Sequence, residues 1–169
     1  RNSKMTKKCR IISNNSGVVA IESALLFPII FFILLAILET TYVFIISIVL
    51  EGATSEAGRQ IKTRSFDESV SPQQSFEDVL CSNMVGLVKC NELIIAVTKF
   101  EEFSSIERPE IDPDRNPQFR PGNPGDIILV RVLYNYNFIT PGLGTALMNQ
   151  TGTSIKPIIS NIVFRNEPL

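Results

Sequence analysis

A chain carrying 33 nearly uninterrupted apolar residues (50 − 18 + 1) has few places to put them. Residues 18–50 hold only two charges, Glu22 and Glu39. A helix crosses the hydrocarbon core of a bilayer with about 20 apolar residues, so this run spans with length to spare. The two carboxylates are the anomaly, because an acid near the centre of a membrane helix costs roughly 2.5–3.5 kcal/mol on insertion scales. Glu22 lies about one turn inside the start, near headgroup depth. Glu39 lies deeper. It marks the far interface, or else the segment up to Thr40 does the spanning. One reading is a plain anchor that tolerates two acids. The other is that Glu22 is kept for a partner.

The flanks predict an orientation. Residues 1–17 contain Arg1, Lys4, Lys7, Lys8 and Arg10 and no acid, which places the N-terminus in the cytoplasm and the rest of the chain across the membrane. Beyond Gly17 the balance is 16 − 5 = 11 basic against 17 acidic residues, or −6. That part has no basic footprint for nucleic acid. An ordinary secretory signal fits poorly, because its apolar region is about 7–15 residues and ends at a small-residue site. Here the run is twice as long and is followed by the weak match Glu51-Gly52-Ala53-Thr54-Ser55. A short basic leader ending in Gly17, with a glutamate fifth in the run that starts at Val18, fits a different processing pattern.

The stretch G-V-V-A-I-E resembles the cleavage motif of type IV prepilins, cut after the glycine by a membrane-embedded prepilin peptidase. Four segments, the first of them containing that motif, sharpen the resemblance. They are SGVVAIESALLFPIIFFILLAILETTYVF followed by EGATSEAGRQIKT, then PGDIILVRVLYNYNFITP, then the tail VFRNEP. In this order they are similar to TadE-like minor pilins, or pseudopilins, of tight-adherence (Tad, Flp-type) pilus systems, over most of residues 17–168. The chain departs from the family pattern at Ser23, where an aromatic residue often follows the glutamate. The resemblance implies that Gly17 ends the leader, Val18 becomes the mature N-terminus and Glu22 is the fifth-position acid. A start at Met5 gives a 13-residue leader (17 − 5 + 1). The implied partners are the major pilin, a sister minor pilin, the prepilin peptidase and the inner-membrane assembly platform with its ATPase, besides the membrane lipid. The implied location is the bacterial inner membrane as a single-pass protein, with passage into an extracellular pilus.

Glu22 suits that role physically. A new Val18 amine has an ordinary pKa of about 7.7–8.0. Among apolar groups an unpaired ammonium or carboxylate is costly, whereas a pair is tolerated. Four residues apart on a helix, Glu22 stacks over Val18, so it can pair with its own amine or a neighbour's; in pilins the pairing between subunits is the usual proposal. Pro28 removes one helical hydrogen bond and promotes a kink. The resemblance implies that the helix loosens there inside a filament, while a simple kink in a lone membrane helix is the alternative.

Past the apolar run, Ala53, Ala57 and Ile61 recur at i, i+4 and i+8 with Gly52, Ser55 and Gly58 between them. This narrow small-residue face suits close helix packing. One helix is therefore expected over residues 18–64, about 70 Å long, after a leader of residues 1–17 and before a domain of residues 65–169. In that domain Ser71-Pro72 is a break. QSFEDVLCSNMVGLV places Phe76, Val79, Leu80, Met84 and Leu87 at helical spacing. ELIIAVTKFEEF, DIILVRVLYNYNF and TSIKPIISNIVFRN read as strands, the last with Pro157 near its start, where a missing donor is tolerable on an edge. RPEIDPDRNPQFRPGNPG is a proline-rich loop ending in the turn RPGNPGD. The expected fold class is α+β: a long transmembrane helix running into a small periplasmic domain, with an antiparallel sheet of about three strands and an amphipathic helix.

Of three cysteines, Cys9 lies in the leader. Cys81 and Cys90 face an oxidising compartment on this topology, where a disulfide is expected. Free thiols are the alternative; a metal site is disfavoured, since two cysteines do not complete a zinc tetrahedron and the chain has no histidine. The lack of histidine also removes the usual general base and the Ser-His and Cys-His pairs, so no enzymatic role and no cofactor is expected. Asp112 and Asp114 in the proline loop read as solvated turn residues rather than a cation site. Two function classes remain: a subunit of pilus assembly or priming, or a permanently anchored, uncleaved binding module of an envelope complex.

Overall fold

The computed structural model describes residues 16–66, 69–105, 118–147 and 155–168. Residues 1–15, with Cys9, and residues 106–117, with Asp112 and Asp114, lie outside the described residues. The fold is α+β. Helix α1 (Ser16–Thr63) runs 48 residues without a break, about 72 Å at the standard rise. It is followed by α2 (Pro72–Asn83), strands β1 (Leu93–Phe100) and β2 (Ile127–Asn137), the short helix α3 (Leu143–Leu147) and strand β3 (Ile155–Arg165). The strands form one antiparallel sheet in the order β1-β2-β3.

Only the second half of α1 belongs to the core. Val43, Ile46, Leu50, Ala53, Ala57 and Ile61 are buried. Their spacing of three and four residues keeps them on one stripe. That stripe packs on the inner face of the sheet, made by Val97 of β1, by Ile128, Val130, Val132 and Tyr136 of β2, and by Ile158 of β3. Helix α2 closes the core with Phe76 and Leu80, and Met84 follows at its end. Ser71 caps α2, its hydroxyl accepting from the Gln74 N–H at 3.2 Å, with Pro72 in the first turn. The break expected at Ser71-Pro72 is thus a helix start, since proline fits where the N–H has no intrahelical partner.

The small-residue face of α1 is used within the chain. A Cβ added at Gly58 would stand 2.2 Å from Ile162 Cδ1 of β3, so glycine there lets strand and helix approach. Gly52 and Ser55 are exposed instead. The expected helix-packing surface is therefore, at Ala53, Ala57, Gly58 and Ile61, the seat of the domain's own sheet. β2 is buried on both faces, since Leu129, Arg131 and Leu133 of its outer face are also covered. β3 lies at the edge, and Pro157 stands opposite Asn135 near its start, as a missing donor requires.

The tail closes the far end. The Asn166 side-chain amide donates to the Pro121 carbonyl at 2.8 Å and the Asn123 carbonyl at 3.1 Å. The Glu167 N–H donates to the Lys62 carbonyl of α1 at 3.0 Å. Within the RPGNPGD turn, Asp126 accepts from the Asn123 N–H at 2.7 Å and pairs with Lys99 at 2.9 Å. The Asn123 hydrogen bond, and then Lys99, hold the Asp126 carboxyl below its usual range. The turn starts β2 as its sequence predicts.

A disulfide joins Cys81 to Cys90, nine residues apart, with Cα atoms 5.8 Å from each other. It ties the end of α2 to the entry of β1. Replacing both cysteines by serine should lower stability by about 2–3 kcal/mol, the chain-entropy value for a loop of this size. The urea midpoint of the protein in detergent reads this directly. An unchanged midpoint would mean that the α2–β1 link is already held by packing alone.

Candidate functional site: the bare half of the long helix and its junction

From Gly17 to Leu38 every described side chain of α1 is exposed except Ser23 and Ala36, which are half-buried. Residues 18–38 number 21 (38 − 18 + 1), or about 32 Å of helix. That matches the roughly 30 Å thickness of a hydrocarbon core. Helix Gly17–Thr63 is long and apolar enough to cross a membrane, and the part its own domain leaves uncovered is of spanning length. This is the arrangement expected of a single-pass membrane protein.

Gly17, Val18, Glu22 and Pro28, singled out in the sequence, all lie on this bare half. The Gly17–Val18 bond sits in the first turn of α1. Among the described residues a Cβ at Gly17 would meet nothing within 4 Å, so their packing does not require glycine there. Glu22 is exposed on the next turn, and among the described residues it makes no ion pair or hydrogen bond. Pro28 is inside α1, which remains helical on both sides of it. The missing N–H deprives the Ala24 carbonyl of its usual partner.

Glu39 behaves differently. It is buried at the first turn that meets the domain. Its Oε2 accepts from the Thr140 N–H at 2.8 Å. Its Oε1 accepts from the Tyr136 hydroxyl at 3.2 Å and from the Ile139 N–H. The tolerated acid of the sequence reading is thus a structural clamp between α1 and the end of β2, and that reading is corrected here. A carboxylate with three donors on two oxygens is well satisfied, which offsets its burial. Burial first, and then the Glu39 charge, push the Tyr136 phenol up to about 12.

The chain has three tyrosines, and all of them sit at this junction. The rings of Tyr42 and Tyr136 meet at a tilt with centroids 6.1 Å apart, and those of Tyr134 and Tyr136 meet edge-on with centroids 6.5 Å apart. Phe138 meets Tyr136 edge-on at 5.4 Å. The Tyr42 hydroxyl donates to the Leu87 carbonyl at 3.2 Å. Tyrosines gather where one end of the ring is apolar and the other wet, as at a membrane surface. The alternation in DIILVRVLYNYNF places Tyr134 and Tyr136 on a strand but does not bring them to Tyr42. The available signal is that Tyr42 stands three residues past Glu39, and Tyr134 and Tyr136 stand near the end of β2.

Fold and junction together define a class: a protein with one spanning-length bare helix whose second half is the spine of a small α+β domain. Residues 17–59 match the family model described as TadE-like protein, consistent with a TadE-like minor pilin of a Tad system. The match begins at Gly17 and lies wholly within α1. The later segments of the resemblance, PGDIILVRVLYNYNFITP and VFRNEP, lie outside it. No curated protein and no solved structure gives a significant match to the chain.

Proposed function

We propose that this chain is a minor pilin, or pseudopilin, that takes part in assembling or priming a Tad-type pilus. In this reading the basic leader lies in the cytoplasm and the sheet domain in the periplasm. A prepilin peptidase cuts between Gly17 and Val18, and the bare helix then joins the helices of the major pilin and a sister minor pilin at the assembly platform. Glu22 pairs with a neighbour's Val18 amine, and Pro28 eases bending of the helix.

The observation that carries this reading is the division of α1. A spanning length of apolar helix begins at a glycine against which no described residue packs, and it carries one exposed acid on its second turn. A peptidase that needs a small residue at the cut suits a glycine at this place, and nothing described packs against it. The family match that starts at the same glycine supports the same system.

Mass spectrometry of membrane protein co-expressed with its peptidase should give a chain starting at Val18. Gly17→Arg should abolish processing, while the domain keeps its fold because nothing packs on residue 17. A chain that remains full-length in the presence of an active peptidase would leave the uncleaved, permanently anchored binding module as the better reading.

A further inference from the structure

The two most exposed large apolar side chains among the described residues are not on the bare helix. They are Ile139, 85% exposed, and Val85, 79% exposed. Each stands at a turn, and the topology puts both turns at one end of the domain. The start of α2 lies by the end of α1, where the Ser75 hydroxyl donates to the Gln60 side chain at 3.2 Å. α2 then runs back along α1 until the Leu87 carbonyl, just past its end, meets the Tyr42 hydroxyl. β1 leads away again and β2 returns, since Leu93 pairs with Tyr134 and Phe100 with Ile127. The chain thus reverses twice beside the bare helix, once at Val85 and once at Ile139.

Both turns stand level with the end of the span. The Ile139 N–H donates to Glu39, the residue that follows the bare stretch 18–38. Tyr42 lies three residues further, about 4.5 Å along the axis. Aromatic side chains on a helix lean back toward its N-terminus, which brings the Tyr42 hydroxyl, and with it Leu87, nearer the span. A headgroup layer is about 5–8 Å thick, half the difference between a core of about 30 Å and a bilayer of about 40–45 Å. The two turns fall within that layer. Val85 also has a φ of 52°, a left-handed conformation disfavoured for a β-branched residue, so the backbone of its turn gives no reason for valine there.

We propose that Val85 and Ile139 insert into the membrane surface and seat the domain on the lipid. One helix sets the height of the domain but leaves it free to tilt. Two apolar tips at the same depth hold its near end down. The partner is the lipid surface because the tips continue the apolar surface of the spanning helix at its boundary. Each is also a single side chain at the point of a turn rather than part of a broad patch. The inference rests on the membrane reading of residues 18–38, and not on cleavage or on entry into a pilus.

The chain has no tryptophan, so Val85→Trp and Ile139→Trp each place one fluorophore in the full chain. The variants are reconstituted in phosphatidylcholine bilayers brominated either near the headgroup end of the acyl chains or near their middle. Both should emit at shorter wavelength and be quenched by the shallow bromines several-fold more than Phe103→Trp, an exposed site past the opposite end of β1. Removing one tip should weaken the quenching read at the other, using Val85→Asn in the Ile139→Trp chain and Ile139→Ser in the Val85→Trp chain. The ratio of seated to lifted domain is expected to fall about tenfold, on the scale of one partly buried aliphatic side chain. The urea midpoint in detergent should hold, since both side chains are exposed and asparagine tolerates positive φ. A lowered midpoint assigns the tips to the fold and overturns the proposal. So does unquenched emission at both tips, whether at long wavelength, from water, or at short wavelength, from a covering protein. Quenching at one tip that ignores the loss of the other also overturns it. Phe27→Trp, within the bare stretch, should be quenched most by the deep bromines. If it is not, the membrane reading itself has failed and this inference with it, whereas a quenched Phe27→Trp with unquenched tips fails this inference alone.

Discussion

Glu39→Ala is expected to loosen the sheet domain from its helix while leaving the chain in the membrane. The substitution removes the acceptor for the Thr140 and Ile139 N–H groups and for the Tyr136 hydroxyl. Thr140 and Tyr136 are buried, so their donors are left without water as a substitute. An unsatisfied buried donor costs about 1–3 kcal/mol. With two such groups the expected loss is about 2–4 kcal/mol, a large part of the total stability of a small domain. Glu39→Gln keeps the shape and one acceptor oxygen, so about half that loss is expected. The chain has no tryptophan and its three tyrosines all lie at the junction. Tyrosine fluorescence during urea unfolding in detergent therefore reports on this contact directly. A wild-type midpoint for Glu39→Ala would show that packing at Val43 and Ile46 holds the junction without the clamp.

Glu22→Ala should give the opposite pattern. Glu22 is exposed, so its removal should leave the urea midpoint within a few tenths of a kcal/mol, as for other surface changes. Its effect is expected in association. If the carboxylate meets a neighbour's amine in an apolar bundle, removing it strands an ammonium, which costs about 3–5 kcal/mol. That corresponds to a loss of association on the order of hundreds-fold or more. The measurement is the yield of co-purified pilins from membranes containing equal amounts of each variant. Wild-type co-purification by Glu22→Ala would remove the pairing from the proposed function. Sequence reasoning alone makes Glu39→Ala the milder of the two changes. The structure separates them by kind, because Glu39 acts within the chain and Glu22 faces outward.

Much of the architecture is legible without coordinates. The 33-residue apolar run requires a long helix, because only a structure that satisfies its own backbone survives in lipid. The alternation in DIILVRVLYNYNF requires a strand, because side chains on extended backbone point to opposite faces. Phe76, Leu80 and Met84 at helical spacing require an amphipathic helix, and the fold places all three in the core. These features depend on period and composition, which are local.

What the tertiary structure decided are the choices that local pattern leaves degenerate. Both faces of β2 are apolar enough to be buried, so alternation could not say which one meets α1; the position of the helix over Val130 and Val132 settles it. The small-residue stripe of α1 has a readable period, but period does not name what lies against it, and the close approach of Ile162 to Gly58 shows that it is the domain's own strand. Glu39 is the clearest case. In the sequence it is one charge in an apolar run, indistinguishable in kind from Glu22. Its partners lie 97 to 101 residues away. Hydrogen bonds form between groups that are close in space, and only the folded chain brings them together.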